Sequence, residues 1–348
     1  MKNRIPLAAI AMSLFVFVNA NAQQQFNESD LSSFLQAEKS DASKLIGAYV
    51  SPVIKGVSYA MTSGWYHTGK THNKLGVDLG VTINTVILPT SEQTFNPQQL
   101  GLSSNTTTTA TAAPTFIGPK TSTTYSVKYN AALPAVSVNG PEGLDFKGSI
   151  GGNYIPVPMY QLGIGLIKST DLKIRFLPEV KKGDSRIKML GFGLMHDIKQ
   201  HIPGIKMLPF DLSILVAYNS VSGATSLANK DQTNDGKPYS SNGSVSYDLS
   251  SWVGQAIISK KVAVLTFYAG IGYGAVKTNV KITGSYTLDP YNSVPPITII
   301  DPFSTSYSNN SVKFTTGMRL KLGPVYFNGD YTVQKYNSIT VGLGASIR

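Results

Sequence analysis

Residues 311–348, SVKFTTGMRLKLGPVYFNGDYTVQKYNSITVGLGASIR, decide the fold, because three stretches within them alternate apolar and polar side chains. The stretches are 311–322, 325–334 and 338–348, separated by short breaks. Successive side chains of a strand point to opposite faces, so each stretch predicts a strand with one apolar face. Each has about the 9–11 residues that a tilted strand needs to cross a bilayer. The pattern predicts an all-β fold, a transmembrane antiparallel β-barrel.

The N-terminus predicts export. Lys2 and Arg4 precede an apolar run over residues 5–18, and Ala20-Asn21-Ala22 provides small residues for cleavage. This order is typical of a bacterial secretory signal peptide, which we expect to be residues 1–22. An uncleaved anchor helix is the alternative, but the run is too short to span a bilayer comfortably. Together with the alternating strands, the signal predicts the bacterial outer membrane as the location.

Composition supports a barrel and argues against other classes. Charged residues make up 14% of the chain and hydrophobic ones 42%, whereas soluble domains carry about a quarter charged residues. The chain has no cysteine, which excludes disulfides and thiolate metal sites. The formal charge is +11, but the basic residues are scattered without a recognition motif, so nucleic acid is not an expected partner. Outer-membrane lipids, or anions in the pore, fit the excess positive charge better.

One segment differs from the rest in its period. Apolar residues over 27–53 recur every three or four positions, which predicts an amphipathic helix of about 20 residues within 23–53. Pro52 is expected to end the helix. Placed before the first strand, the helix could enter the lumen as a plug or lie on the periplasmic membrane surface. The sequence leaves both positions open.

The barrel is expected over residues 54–348. We predict about 12 strands, with a range of 10 to 14. The first is expected at 56–67, with Trp65 and Tyr66 in an aromatic girdle. Weaker candidates are 125–138 and 144–156. Long loops are predicted near 89–124, 229–242 and 288–310 on the extracellular side, and a short periplasmic helix or turn at 196–204.

No constellation predicts catalysis, so the chain is not expected to be an enzyme or to hold a cofactor. The histidines form two pairs spaced by five residues, and surface or interfacial positions are favoured over a metal site: His67, His72, His196 and His201. Alternating glycines in one strand predict close packing against a plug or a neighbouring strand: Gly270, Gly272 and Gly274.

Charged side chains on the predicted inner faces are the remaining candidates for function. One interpretation is a polar, salt-bridged interior, and the other is a selectivity surface for anionic or amphipathic solutes. The candidates are Lys74, Asp78, Lys173, Arg175, Lys313, Arg319, Lys321 and Asp330.

Several stretches resemble an uncharacterised family of Bacteroidota outer-membrane barrels, a domain of unknown function found after a signal peptide. They are GIGLIK at 163–168, DLKIRFLPE at 171–179, GFG at 191–193, HDIKQ at 196–200 and PFD at 209–211. The resemblance implies a barrel and no established activity. The chain is also distantly similar to long-chain fatty-acid transporter barrels, through a helix before roughly a dozen strands, although it lacks their glycine-rich N-terminal segment.

Two functions are compatible with these patterns. The first is passive transport of a small amphipathic or anionic solute through a plugged barrel. The second is a non-transporting structural or surface-interaction barrel that acts through its extracellular loops. No particular protein partner is indicated. A secreted soluble β-sandwich is a third class, which would stay in the aqueous phase.

Overall fold

The computed structural model describes residues 34, 37, 39–129, 134–226, 240, 242–288 and 297–347. The predicted signal peptide, residues 1–22, lies outside the described residues. Most of the predicted loop 229–242 also lies outside them.

Ten antiparallel strands form a closed barrel. This confirms the all-β barrel, with ten strands rather than about twelve. Each strand pairs with its neighbours in the chain, and the first pairs with the last to close the barrel. In chain order the strands are β1 (Val77–Ile87), β2 (Tyr154–Gly165), β3 (Thr170–Lys182), β4 (Ser185–Asp197), β5 (Asp211–Ser226), β6 (Ser244–Val262), β7 (Leu265–Thr283), β8 (Phe303–Leu322), β9 (Val325–Val333) and β10 (Ser338–Ile347).

The barrel wall has an apolar outer face. Its inner face is mainly polar in the half of the barrel where β1 begins and β10 ends. In β9, Val325 and Phe327 are exposed while Asn328 and Asp330 are buried, as the alternation predicts. Exposed large apolar side chains continue around the wall, including Leu79, Ile83, Phe192, Leu194, Val216, Trp252, Ile271, Phe314, Val341 and Leu343. An exposed apolar belt on a closed barrel is the surface that a bilayer covers.

The connections differ in length at the two ends of the barrel. Residues 88–153, 227–243 and 284–302 connect strands at one end, which we call the loop end. The connections 263–264 and 323–324 are tight turns at the opposite turn end. Gly323 has φ +61°, a left-handed conformation that glycine adopts without strain.

Helix α1 (Lys39–Met61) lies inside the barrel. Its first residue is at the loop end, where the Lys39 ammonium donates to the Ile300 carbonyl at 2.9 Å. Its last carbonyl, on Met61, accepts from Asn219 in the middle of β5 at 2.8 Å. The helix therefore runs from the loop end into the lumen.

Residues 62–76 continue through the lumen to the turn end. There the Gly69 carbonyl accepts from the Ser213 hydroxyl at 2.6 Å, and the Gly69 N–H donates to the Ser259 hydroxyl at 2.9 Å. The chain then reverses into β1. We call α1 and residues 62–76 together the lumen segment.

The predicted C-terminal end of the helix is wrong, because α1 extends to Met61 and Pro52 lies inside it; the predicted start lies outside the described residues. Proline in a helix interior costs about 3 kcal/mol by removing a hydrogen bond and crowding the preceding turn. Val50, Val53 and Val57 all pack against buried neighbours on this stretch, so burial on both sides of Pro52 offsets that cost.

The first predicted strand, 56–67, is also wrong. Residues 56–61 are helical, and the residues that follow form no strand, because wall side chains rather than a neighbouring strand satisfy their backbone groups. Trp65 and Tyr66 are consequently buried in the lumen and do not form an aromatic girdle.

Residues 88–129 and 134–153 form a folded cap over the loop end, where the sequence predicted a mobile loop at 89–124 and strands at 125–138 and 144–156. Phe116 packs edge-on against Tyr49 of α1, with ring centroids 5.9 Å apart. The cap contains short elements only: helix α2 (Phe146–Ile150), 3-10 turns Thr90–Gln93 and Pro97–Leu100, and strands Thr94–Phe95, Thr106–Thr107, Ala113–Pro114, Thr124–Val127 and Val136–Asn139.

Of two other predicted connections, one differs from the structure and one agrees with it. The loop expected at 288–310 is shorter, because β8 begins at Phe303, and part of it forms a small hairpin of Ser285–Leu288 with Ile297–Ile300. At the turn end, the connection after β4 contains the 3-10 turn Lys199–His201, in agreement with the predicted short helix or turn.

Candidate functional site

The end of α1 is bound by side chains from four barrel strands. The last carbonyls of a helix lack intrahelical partners and carry partial negative charge. In this barrel the wall bonds the carbonyls of Ala60 and Met61 in the last turn of α1, and those of Thr62 and Ser63 directly after it. The pairs are Asn84 with the Ala60 and Ser63 carbonyls at 3.0 and 2.9 Å, Asn219 with Met61 at 2.8 Å, Lys313 with Thr62 at 2.5 Å and Arg175 with Ser63 at 2.9 Å. We call these four wall residues the helix-end ring.

Lys313 and Arg175 are the two cations of the ring, and both are almost fully buried. A buried charge is costly unless hydrogen bonds and opposite charge compensate it. The Lys313 ammonium also donates to the hydroxyls of Thr62 and Ser63, at 3.0 and 3.2 Å. The buried Asp330 carboxylate interacts electrostatically with both cations. Their positive charge therefore faces the negative end of the helix.

Arg175 additionally organises the chain just below the helix. Its guanidinium lies 4.0 Å from the centre of the Trp65 ring, a cation–π geometry. Its Nε donates to the Gln161 side-chain oxygen at 2.8 Å, and Gln161 in turn donates to the Trp65 carbonyl at 3.2 Å. One wall arginine thus fixes two consecutive parts of the lumen segment.

A second cluster closes the turn end. The His72 imidazole lies between two carboxylates, with Nδ1 2.8 Å from Asp171 and Nε2 3.1 Å from Asp78. An imidazole that faces carboxylates on both sides is best satisfied when both nitrogens carry protons. His67 lies 3.8 Å from Asp78, and Lys173 interacts with Asp78 electrostatically. His67 and His72 are therefore buried, which corrects the predicted surface position.

The remaining predicted lumen residues belong neither to the helix-end ring nor to the cluster around His72. Arg319 stacks 4.3 Å above the Tyr326 ring, and Asp330 accepts from the Tyr268 hydroxyl at 3.1 Å. Lys321 is partly buried near the turn end, where it donates to the Ser346 carbonyl at 2.9 Å. Lys74 does not face the lumen. It is exposed in the turn before β1, because the alternating strand begins only at Val77.

Wall glycines make room for the lumen segment. A Cβ at Gly270 would lie 2.1 Å from the Tyr66 hydroxyl, and one at Gly274 would lie 3.0 Å from Thr62. Gly272 instead packs against the neighbouring strand, where a Cβ would meet the Gly254 carbonyl at 2.1 Å. The predicted close packing of these alternating glycines is confirmed.

The sequence analysis missed the residues of the lumen segment that receive these contacts, chiefly Thr62 and Ser63. The stretch TSGWYHTGKTH at 62–72 is dense in hydrogen-bonding groups and lacks strand alternation. That combination is the one signal that could have separated it from the wall strands.

Within the described ranges, no group of three or more His, Cys, Asp or Glu side chains could hold a metal ion. Within the same ranges, no helix has the length and hydrophobicity that a membrane-crossing helix requires.

Solved structures similar to this barrel share little sequence with it. Ail, the attachment invasion locus protein of Yersinia pestis, is 7% identical, with 79% of this chain and 99% of that chain covered and a TM-score of 0.25. The translocator domain of the autotransporter NalP from Neisseria meningitidis is 11% identical, with coverages of 87% and 99% and a TM-score of 0.31. The toluene transporter TbuX of Ralstonia pickettii is 8% identical, with coverages of 84% and 93% and a TM-score of 0.25. TM-scores this low carry no argument about function.

No curated protein matches the sequence. A family model does, over residues 1–347. The resemblance to a family of unknown function is thereby confirmed, while the Bacteroidota origin stays a prediction. The chain belongs to the family of unknown function DUF6588.

Proposed function

We propose that this chain is an outer-membrane protein whose lumen is closed by its own N-terminal segment and which acts at the cell surface through its cap. One observation carries the proposal. Lys313 and Arg175, which were expected to line a pore, instead donate hydrogen bonds to the lumen segment, and His72 of that segment lies between the wall carboxylates of Asp78 and Asp171. A barrel whose lumen is filled and whose loop end carries a folded cap is suited to binding at the cell surface rather than to free diffusion of solutes through a pore.

Orientation follows from loop length. Outer-membrane barrels keep their long loops outside and their short turns in the periplasm. The loop end would then face the medium, and the start of α1 would face it too. Outer-membrane lipids are the proposed partners of the exposed apolar belt.

The cap is tied to α1, so the two form one surface. The Asp41 carboxylate accepts from the Ser103 N–H at 3.0 Å and from its hydroxyl at 2.6 Å. Lys55 bonds both oxygens of Glu92 at 2.9 Å. Phe34 packs edge-on against Tyr125, with ring centroids 5.7 Å apart. These contacts give the loop end a defined shape that a partner could recognise.

Planar-bilayer recording tests the closed state. The purified full chain is expected to insert without steady ion conductance. Lys313→Met, which removes a contact to the lumen segment, is expected to show brief openings, while Lys321→Met serves as a matched control on the same strand. Steady, porin-like conductance of the unmodified chain would contradict the proposal.

Gated passage of a small anionic solute is the second candidate. It is supported by the buried cations Lys173, Arg175, Lys313 and Arg319 in the lumen, which would attract an anion if the lumen segment moved. Uptake of a labelled anion into liposomes, compared with an uncharged solute of similar size, tests it. Equal leakage of both solutes, or of neither, would argue against this candidate.

A further inference from the structure

A cavity of ≈ 50 Å³ lies between α1 and the wall near the loop end. This is several times the roughly 10–15 Å³ that one water molecule requires. Apolar side chains from three parts of the molecule line it, namely Val50 and Val53 of α1, Leu249 and Val280 of β6 and β7, and Phe116 and Phe303 at the loop end.

The cavity exists because α1 is held against the other side of the barrel. At Gly56 an added Cβ would lie 2.8 Å from Ile155 of β2, so the helix approaches that wall as closely as a glycine allows. On the β8 side, the Tyr307 hydroxyl donates to the Gly47 carbonyl at 3.0 Å. These contacts draw the helix away from β6 and β7. The helix-end ring holds the C-terminal end of α1 in this position.

The side chains facing this gap are too short to fill it. Valine occupies several of the facing positions on the helix and the strands, where leucine or phenylalanine would reach further. An empty cavity is unfavourable, because the atoms that line it lose dispersion contacts on one side. β6 and β7 pair along their full lengths, so the wall is not free to collapse inward.

The lining determines which ligand would fit. Among the described residues around the cavity none is charged, and the polar atoms are the hydroxyls of Thr278 and Tyr247. The Thr278 hydroxyl already lies 3.5 Å from Ser58. Apolar cavities of this kind stay dry and bind small apolar molecules. We propose that this cavity is a binding site for a compact, uncharged apolar ligand smaller than benzene, of about the size of a xenon atom, because its volume is well below the roughly 150 Å³ of an apolar cavity that holds benzene.

Xenon is a suitable probe, because its ¹²⁹Xe signal can be followed by NMR in detergent micelles. The full-length chain is expected to bind it saturably, one molecule per chain, above the linear partitioning into micelles. Val280→Phe, which extends a lining side chain into the space, is expected to weaken binding by roughly tenfold or more. Ile271→Phe is the matched control, since Ile271 lies on the same strand and is exposed on the outer face.

Heat-modifiable migration on a gel verifies that each variant is folded. If Val280→Phe fails to fold, Val53→Phe fills the cavity from the helix side. Linear uptake alone by the unmodified chain would overturn the proposal, and so would equal binding by a folded cavity-filling variant. This outcome is independent of the conductance test, because the lumen segment blocks the barrel whether or not the cavity holds a ligand.

Discussion

Replacing Lys313 by methionine removes the ammonium from the end of α1 and keeps an unbranched side chain that lacks only the terminal heavy atom. The ammonium has three partners on the lumen segment, the Thr62 carbonyl and the hydroxyls of Thr62 and Ser63. Hydrogen bonds to a charged group each contribute about 1.5–3 kcal/mol. Methionine avoids the cost of burying a charge, which returns part of that loss. The net loss of docking free energy is expected to be about 2 kcal/mol, or roughly 30-fold in the population of the undocked segment.

Hydrogen–deuterium exchange of the folded chain in micelles measures this population. Backbone amides near residues 62–66 should exchange roughly 30-fold faster in Lys313→Met, because local opening precedes exchange. Lys321→Met removes a lysine from the same strand whose bond to Ser346 is within the wall. It should leave these amides unchanged. Equal exchange in the unmodified chain and in Lys313→Met would refute the role of the helix-end ring.

Two further substitutions test other contacts of the lumen segment. Gly270→Val places a side chain against the Tyr66 hydroxyl and should lower the midpoint of heat-modifiable migration, at a cost of about 1–3 kcal/mol. Gly254→Val is the control and should leave the midpoint unchanged, because a Cβ at that position has no atom within 4 Å. An unchanged midpoint for Gly270→Val would contradict the packing. Burial opposes ionisation of Asp41, but hydrogen bonds from Ser103 outweigh it and lower the pKa of Asp41, which lies in the first turn of α1 against the cap. The stabilisation that the ionised Asp41 carboxylate provides should therefore be complete above about pH 4 and lost as the pH falls through the lowered pKa. Hydrogen exchange near residue 103 should then be the same in the unmodified chain and in Asp41→Asn only in acid. A difference in exchange between the two chains that is the same at every pH would argue against this linkage.

The strands at the end of the chain were predictable because their environment is simple. One face is exposed and apolar and the other is buried in the lumen, so the sequence of β8, β9 and β10 alternates and its parity gives the inner face of Lys313, Arg319 and Asp330 correctly. The sequence alone cannot show what occupies the lumen. A polar inner side chain suits water and a buried backbone carbonyl equally well.

The lumen segment was misassigned for the same reason. Its partners are distant in the chain, as with Ser63, whose carbonyl and hydroxyl contact Arg175 and Lys313. The valine and the three aromatic residues at 57–66 are of types common in strands, and local propensity favoured a strand there. Contacts with many strands at once outweighed that preference. They also stabilise α1 enough for the helix to continue beyond Pro52.

An engineered cross-link between α1 and the wall tests the central claim, that the helix occupies the lumen. The chain has no cysteine, so a pair introduced at Ser58 and Thr278 is the only one present. Their hydroxyl oxygens lie 3.5 Å apart, so sulfur atoms in those positions need to approach each other by only about 1.5 Å to reach the roughly 2.05 Å of a disulfide bond. Ser58→Cys with Thr278→Cys should oxidise to an intramolecular disulfide in the folded chain. Ser58→Cys with Thr316→Cys, which faces outward, should not. Absence of the first cross-link, or equal formation of both, would contradict a helix inside the barrel.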